Sequence, residues 1–414
     1  MVIRQGVEKY AMTTPRTGSD LNQFLGVVEK YLGSDRVMYT KALVAAFATI
    51  AIKDVHQPIT LYLIGSAGTG KSTLLRLFEI LIPEGLAIRE DHFTAKAFVS
   101  SQSRGDDDHQ DLLPLLKSKV LLTQDLSVLF SKKSTELAET MNVLVLVLDG
   151  HGMTYYTSGR QWGYIGNYYM VWFGAIPVLP VHVQKMLPQY GLGSRLLFLK
   201  IADSKKTNQE IEDKIVKTIS SERDLISKIE IIQTSLLAFL ESIQFRAESI
   251  SWRKDLDSIK ALRIISKLAQ CLRLLRSGSD KDNKKNPKPV FEANPPLRPA
   301  FGLWDICRGM AILHGRNFVK MDDLDDGIVA TIALDSGDES RSQIFRKFII
   351  KNSWTFEELS AELKISVDFC IDEIEKLQRI GLVIVKNDKI KLIPYYAELA
   401  QDLRSILFPI TIPR

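Results

Sequence analysis

The sequence predicts an α/β fold, in which a parallel sheet flanked by helices leads into a helical region and then a C-terminal winged helix. Three observations carry this. Short apolar runs rich in β-formers, such as Ile59 to Ile64 and Leu196 to Ile201, alternate with segments of helical period. The first of these runs enters the glycine-rich turn Gly65-Ser66-Ala67-Gly68-Thr69-Gly70-Lys71-Ser72-Thr73, and Ser72 to Leu81 then repeats leucine at helical spacing. Near the end of the chain, three helical segments, the second and third of them capped, precede a short hairpin. The expected divisions are residues 1–34 (tail and first helix), 35–202 (α/β core), 203–337 (helical region) and 338–414 (winged helix).

The glycine-rich turn fits the phosphate-loop pattern G-x-x-x-x-G-K-[ST] from Gly65 to Ser72. Glycines let successive backbone N–H groups curl around a phosphate, and the start of a helix adds partial positive charge. Lys71 is then expected to reach the β- and γ-phosphates, with the Ser72 hydroxyl on Mg²⁺. The expected ligand is ATP or GTP.

Composition narrows the classes further. With 414 residues, 45% hydrophobic and 25% charged, the chain is long enough for two or three globular domains. Its three cysteines, Cys271, Cys307 and Cys370, show no C-x-x-C spacing, which excludes a disulfide framework or cysteine zinc site. The six histidines form no ligand cluster. No apolar run reaches membrane-spanning length, so no membrane association and a cytoplasmic address are expected. A net charge of +5 permits a nucleic-acid partner without demanding one.

In chain order, Ser19 or Asp20 opens a helix to about Leu32, and Asp35 caps a second from Arg36 to about Lys53. This second helix either packs across a nucleotide base or fills the core. Gly85 to Arg89 is expected as a strand ending in Glu90-Asp91. Lys119 to Asp125 (KVLLTQD) is a short apolar strand ending in an acid, about fifty residues after the phosphate loop, where a Mg²⁺-ordering Walker B carboxylate belongs. Leu126 follows Asp125, so the usual Asp-Glu pair is missing. Two assignments stand. Either Asp125 orders the metal and the base lies elsewhere, with Glu90 and Asp91 as candidates, or Gln124 takes the metal position and Asp125 is the base.

Lys133 to Leu148 is a helix with an apolar second half. Ser158-Gly159-Arg160 is a hairpin tip between Met153–Thr157 and Gln161–Ile165, where Arg160 beside Tyr155, Tyr156 and Trp162 suits contact with phosphate and bases. Tyr168 to Phe173 is a buried strand ending in Gly174-Ala175-Ile176-Pro177. Arg195 stands just before the strand Leu196 to Ile201, a place that suits a charge presented to a neighbouring subunit. Helices dominate from Lys205 to Arg276, and residues 251–290 carry eleven basic against four acidic side chains. Ser277 to Pro296 has loop composition; Arg298 then opens a helix to about Gly315. In the winged helix, Thr355 and Glu358 form a capping box. Ser366 caps the next helix to Arg379, where Asp368, Asp372, Glu373 and Glu375 suit a protein partner better than a phosphate-lined groove.

Taken together, these pieces resemble an AAA+ ATPase. More narrowly they resemble the branch holding the MCM replicative helicases and related motor ATPases of phages, plasmids and integrated elements. The likeness covers about residues 35–335 and is most specific at the phosphate loop. It implies an AAA+ core with a helical lid, a homo-oligomer (most often a hexamer), and ATP hydrolysis coupled to single-stranded or forked DNA. It implies a pre-sensor hairpin at Arg160, an arginine finger at Gly193-Ser194-Arg195-Leu196, and a nucleotide-binding sensor-2 element at Arg298. A polar sensor-1 residue is missing near Gly174-Ala175-Ile176-Pro177, which bears on hydrolysis rate more than on binding. The expected function is a DNA helicase or replication ATPase of a mobile element. An ATP-gated loader, initiator or transposition regulator with slow hydrolysis, and a protein-remodelling chaperone, are the alternatives.

Overall fold

The computed structural model describes residues 19–53, 55, 57–94, 97–99, 111–157, 160–202, 212, 222–277 and 295–408. Its centre is a five-stranded sheet made of β1 (Ile59–Ile64), β2 (Ala87–Arg89), β3 (Lys119–Thr123), β6 (Met170–Ile176) and β7 (Leu196–Lys200). The order is β2-β3-β6-β1-β7, and every neighbouring pair is parallel. Each strand's near-continuous apolar run follows from burial on both faces. Period-two alternation divides the side chains between two cores. Leu61, Leu63, Val171, Phe173 and Leu199 face one of them. Tyr62, Trp172, Ile176, Leu196 and Phe198 face the other, where the Trp172 indole donates to Thr123 Oγ1 at 3.0 Å.

The first core is covered by α1 (Ser19–Leu32), α2 (Ser34–Ala48), α3 (Lys71–Arg76), α8 (Glu222–Ser242), α9 (Ile259–Arg276), α10 (Leu297–Leu313) and α11 (Ile328–Asp335). The second is covered by α4 (Leu112–Leu115), α5 (Ser127–Phe130), α6 (Ser134–Val147) and α7 (Val181–Gln189). Helix α2 is buried almost all round, as a helix rich in alanine and valine should be inside a core. Its boundaries correct the expectation: Gly33, at φ +101°, is the N-cap, Asp35 lies in the first turn, and the helix tightens into a 3₁₀ turn after Ala48. The helix after the phosphate loop is also shorter than expected, ending at Arg76 before a 3₁₀ turn at Glu79–Leu81. The strand at Tyr168 starts later, at Met170, and runs on through Gly174 and Ala175 to Ile176.

β4 (Gly152–Thr157) and β5 (Arg160–Ile165) form the expected antiparallel hairpin, with Thr157 opposite Arg160. The tip residues Ser158 and Gly159 lie outside the described residues, as do the side chains of Arg160, Tyr155, Tyr156 and Trp162.

The helical region is built on a buried polar pair. Arg308 and Asp305 on α10 meet at 2.8 Å with both side chains fully buried, and the guanidinium lies over the rings of Trp252 and Trp304, 4.8 and 4.6 Å from their centroids. Burial raises the Asp305 pKa from 3.8 to about 6, although Arg308 opposes it. The folded chain therefore holds a proton, between pH 4 and 6, that the unfolded chain has released. This stabilisation is complete near pH 4 and is lost as pH rises through 6. Relative to Asp305→Asn, the wild type is expected to gain stability as pH falls from 7 to 4, read as denaturant midpoints. A constant difference between the two would remove the assignment.

The C-terminal unit comprises α12 (Glu339–Ile350), β8 (Ser353–Trp354), α13 (Phe356–Leu363), α14 (Val367–Arg379), β9 (Val383–Lys386), β10 (Lys389–Leu392) and α15 (Pro394–Leu407). Its capping box at Thr355 and Glu358 and its Ser366 cap are as read from the sequence. Asn387 and Asp388, both at positive φ, make the two-residue hairpin turn, while β8 and α15 were not foreseen. The order of its small sheet is β8-β10-β9.

Candidate functional site

Strand β1 delivers the glycine-rich loop to the carboxyl edge of the sheet, where open α/β sheets bind ligands. Gly68 and Gly70 adopt φ +79° and +84°, conformations that side chains resist. A Cβ on Gly65 would stand 2.9 Å from the Ile201 carbonyl, so the backbone passes there only as glycine. The Lys71 side chain is buried beneath this turn. Its ammonium donates to the Gly65 carbonyl, to the Ser66 carbonyl at 2.7 Å and to Thr69 Oγ1 at 3.4 Å. Ser72 is exposed at the start of α3 and Thr73 is half-buried. Helix α3 has only six residues, so the loop's N–H groups and Lys71 add to a short helix's contribution.

The sequence reading missed a further cation. Arg36, on the first turn of α2, brings its Nε to 3.8 Å from where a Cβ on Gly70 would lie, and its guanidinium is 6.0 Å from the Tyr39 ring centroid. The Tyr39 hydroxyl donates to Lys200 O and accepts from Ala202 N, both at 3.2 Å, which pins α2 to the end of β7. Helix α2 therefore both fills the core and borders the phosphate loop. Only the loop's tertiary neighbour makes Arg36 recognisable.

Asp125 lies two residues beyond β3, on the same edge as the loop. With β6 between β1 and β3, the two strands stand about 10 Å apart. The Asp125 carboxylate is exposed and accepts from Ser127 N at 2.8 Å. Among the described residues no hydrogen bond joins it to Ser72. Gln124 is turned the other way: its N–H donates to Asp91 at 2.7 Å and its amide to Glu79 at 3.1 Å. Arg89 bridges Glu79 and Asp91, both at 2.8 Å. Asp91 is thereby committed to Arg89 and Gln124, whereas the Glu90 side chain is exposed at the edge.

The two other arginines sit elsewhere. Arg195 precedes β7 and therefore occupies the amino edge of the sheet, opposite the phosphate loop. It bonds to Asp149 at 2.8 Å, and its side chain is 9% exposed. Arg298 pairs with the same Asp149 oxygen, and its carbonyl accepts from Gln57, which precedes β1. Six residues of β1 separate Gln57's end from the loop, about 20 Å. Arg298 is therefore not brought to the phosphate loop of its own chain. That corrects its expected place in the nucleotide site: α10 starts at the far edge of the sheet. Burial lowers the Arg195 pKa, and the Asp149 carboxylate opposes that effect.

Compared with known proteins, the chain matches no family model and no curated relative.

A cavity of about 650 Å³ runs along β7 from Gly65 and Ser66 at one edge to Gly193 and Ser194 at the other. Of the glycine-rich turn it touches only those first two residues, so it adjoins that turn without being enclosed by it. Among the described residues no group of three His, Cys, Asp or Glu side chains could hold a metal alone, and no helix is long and apolar enough to cross a membrane. A Mg²⁺ ion needs only one or two protein oxygens when phosphates complete its shell, and the Ser72 hydroxyl with the exposed Asp125 carboxylate fits that donor set.

Proposed function

We propose that the chain is an oligomeric AAA+ ATPase that moves along or remodels DNA, with helicase activity as its primary form. The observation that carries this reading is the placement of its cations. Lys71 and Arg36 lie at the phosphate loop, while Arg195 and Arg298 lie on the opposite edge of the sheet. An arginine about 20 Å from its own loop can stabilise transition-state charge only at the site of another copy.

In this reading the loop's N–H groups and Lys71 grip the β- and γ-phosphates, and Ser72 and Asp125 hold Mg²⁺, which neutralises phosphate charge when bound. Glu90, the acid left exposed beside Asp125, is the candidate to orient the attacking water. Arg195 and Arg298 serve the neighbouring copy after release from Asp149. Hairpin β4–β5, with Arg160, reaches DNA. The C-terminal unit acts as a winged helix that contacts protein, since α14 exposes Asp368 and Glu375.

Strand displacement on forked DNA, run beside ATPase assays with and without single-stranded DNA, tests the motor. Unwinding with DNA-stimulated turnover is expected. Binding without unwinding points to the regulator, and indifference to DNA points to a chaperone; either outcome overturns the helicase reading.

A further inference from the structure

Arg276 ends α9, and among the described residues its guanidinium is bonded to main chain rather than to a charged partner. It donates to the carbonyls of Gly193 and Leu196 (2.8 Å), which bracket Arg195, and to that of Ser336 (2.6 Å) at the end of α11. Burial lowers its pKa to about 9, so it stays charged at neutral pH. Charge-assisted bonds of this kind are the strong ones, and here each of the three guanidinium nitrogens takes a different carbonyl, a spread that the single nitrogen of a lysine does not cover.

The end of α11 also holds the free edge of β7. Phe198 N donates to Ser336 Oγ at 2.8 Å, and Lys200 N donates to Asp335 at 2.7 Å. Beyond β1, then, the outer strand is tied to the helical region rather than to another strand. Arg276 ties the turn that carries Arg195 to α9 and α11, beside the bridge through Asp149 to Arg298 on α10.

We propose that Arg276 is a positioning residue that locks the Gly193–Leu196 turn to α9 and α11, so that displacement of the helical region is passed to Arg195. This rests on the reading that Arg195 serves a neighbouring copy. The coupling is mechanical: α9 and α11 cannot shift together against β7 without moving the turn or breaking the two charge-assisted bonds to Gly193 and Leu196.

Subunit mixing with the full-length chain separates this role from a local structural one. Arg195→Ala subunits keep a phosphate loop but supply no arginine, and Lys71→Ala subunits do the reverse, so mixtures of the two are expected to regain ATPase activity. Arg276→Met is expected to lower kcat at least tenfold while changing the affinity for a fluorescent ATP analogue less than twofold. It should regain activity with Lys71→Ala subunits and fail to do so with Arg195→Ala subunits. The opposite pairing, or an unchanged kcat, overturns the proposal. If the Arg195→Ala and Lys71→Ala mixture itself regains nothing, the underlying reading fails first, and the proposal with it. Arg276→Lys keeps the charge but cannot span the three carbonyls. It is expected to show the same pairing with a smaller loss, and it decides the matter where the methionine variant does not fold.

Discussion

Lys71→Ala is expected to abolish ATP hydrolysis, with turnover falling by at least about a thousandfold. In the folded chain the Lys71 ammonium is held inside the loop by the Gly65 and Ser66 carbonyls. It therefore needs only a short displacement to meet a phosphate. Removing it deletes a cation buried beneath the turn and leaves those carbonyls without that donor. Both effects act at the loop, but they can be told apart. Loss of the donor relaxes the loop and costs about 1 kcal/mol of stability, whereas loss of the cation removes charge stabilisation where it develops. A folded variant with an unchanged denaturation midpoint and no turnover assigns the effect to chemistry. Retained turnover would remove the site assignment altogether.

The loop was legible because its chemistry demands a rare local pattern: glycines where φ must be positive, then Lys and Ser at the helix start. Strands β1, β3 and β7 were legible for a different reason, since burial on both faces leaves no polar alternation to confuse with a helix. The capping box at Thr355 was equally local. What escaped reading was set by contacts between distant segments. Asp149 is an ordinary turn acid in the sequence, and only the assembled sheet brings Arg195 and Arg298 onto it. Arg298 was assigned to the phosphate site by likeness, yet the edge on which α10 begins depends on strand order, which no local pattern encodes. Arg36 was hidden in the same way. Helix α7 was left unassigned, for its N-cap is Pro180 and Pro188 interrupts it, so no uninterrupted helical period marks it.

The largest structural effect is expected at Gly309, where α10 crosses α2. A Cβ there would fall 1.9 Å from the Ala45 carbonyl oxygen and 2.6 Å from its carbon, both backbone atoms of a buried helix. Neither can rotate away, so Gly309→Ala must push the helices apart. Better helix propensity returns about 1 kcal/mol, against an overpacking cost of about 3 kcal/mol or more when backbone has to move. Gly309→Val should leave little folded protein. Gly302, two turns earlier on the same helix, supplies the control. Its added Cβ would meet only the Leu197 side chain, at 3.3 Å, which can yield, so Gly302→Ala is expected to be near neutral or stabilising. Denaturant midpoints of the two alanine variants should differ by about 2 kcal/mol or more, and equal midpoints would deny the close helix approach. The contact also bears on the site, because α2 carries Arg36 to the phosphate loop and α10 carries Arg298 to the opposite edge. Spreading the pair shifts both cations at once, so nucleotide affinity in Gly309→Ala is expected to fall along with stability, while in Gly302→Ala it should hold.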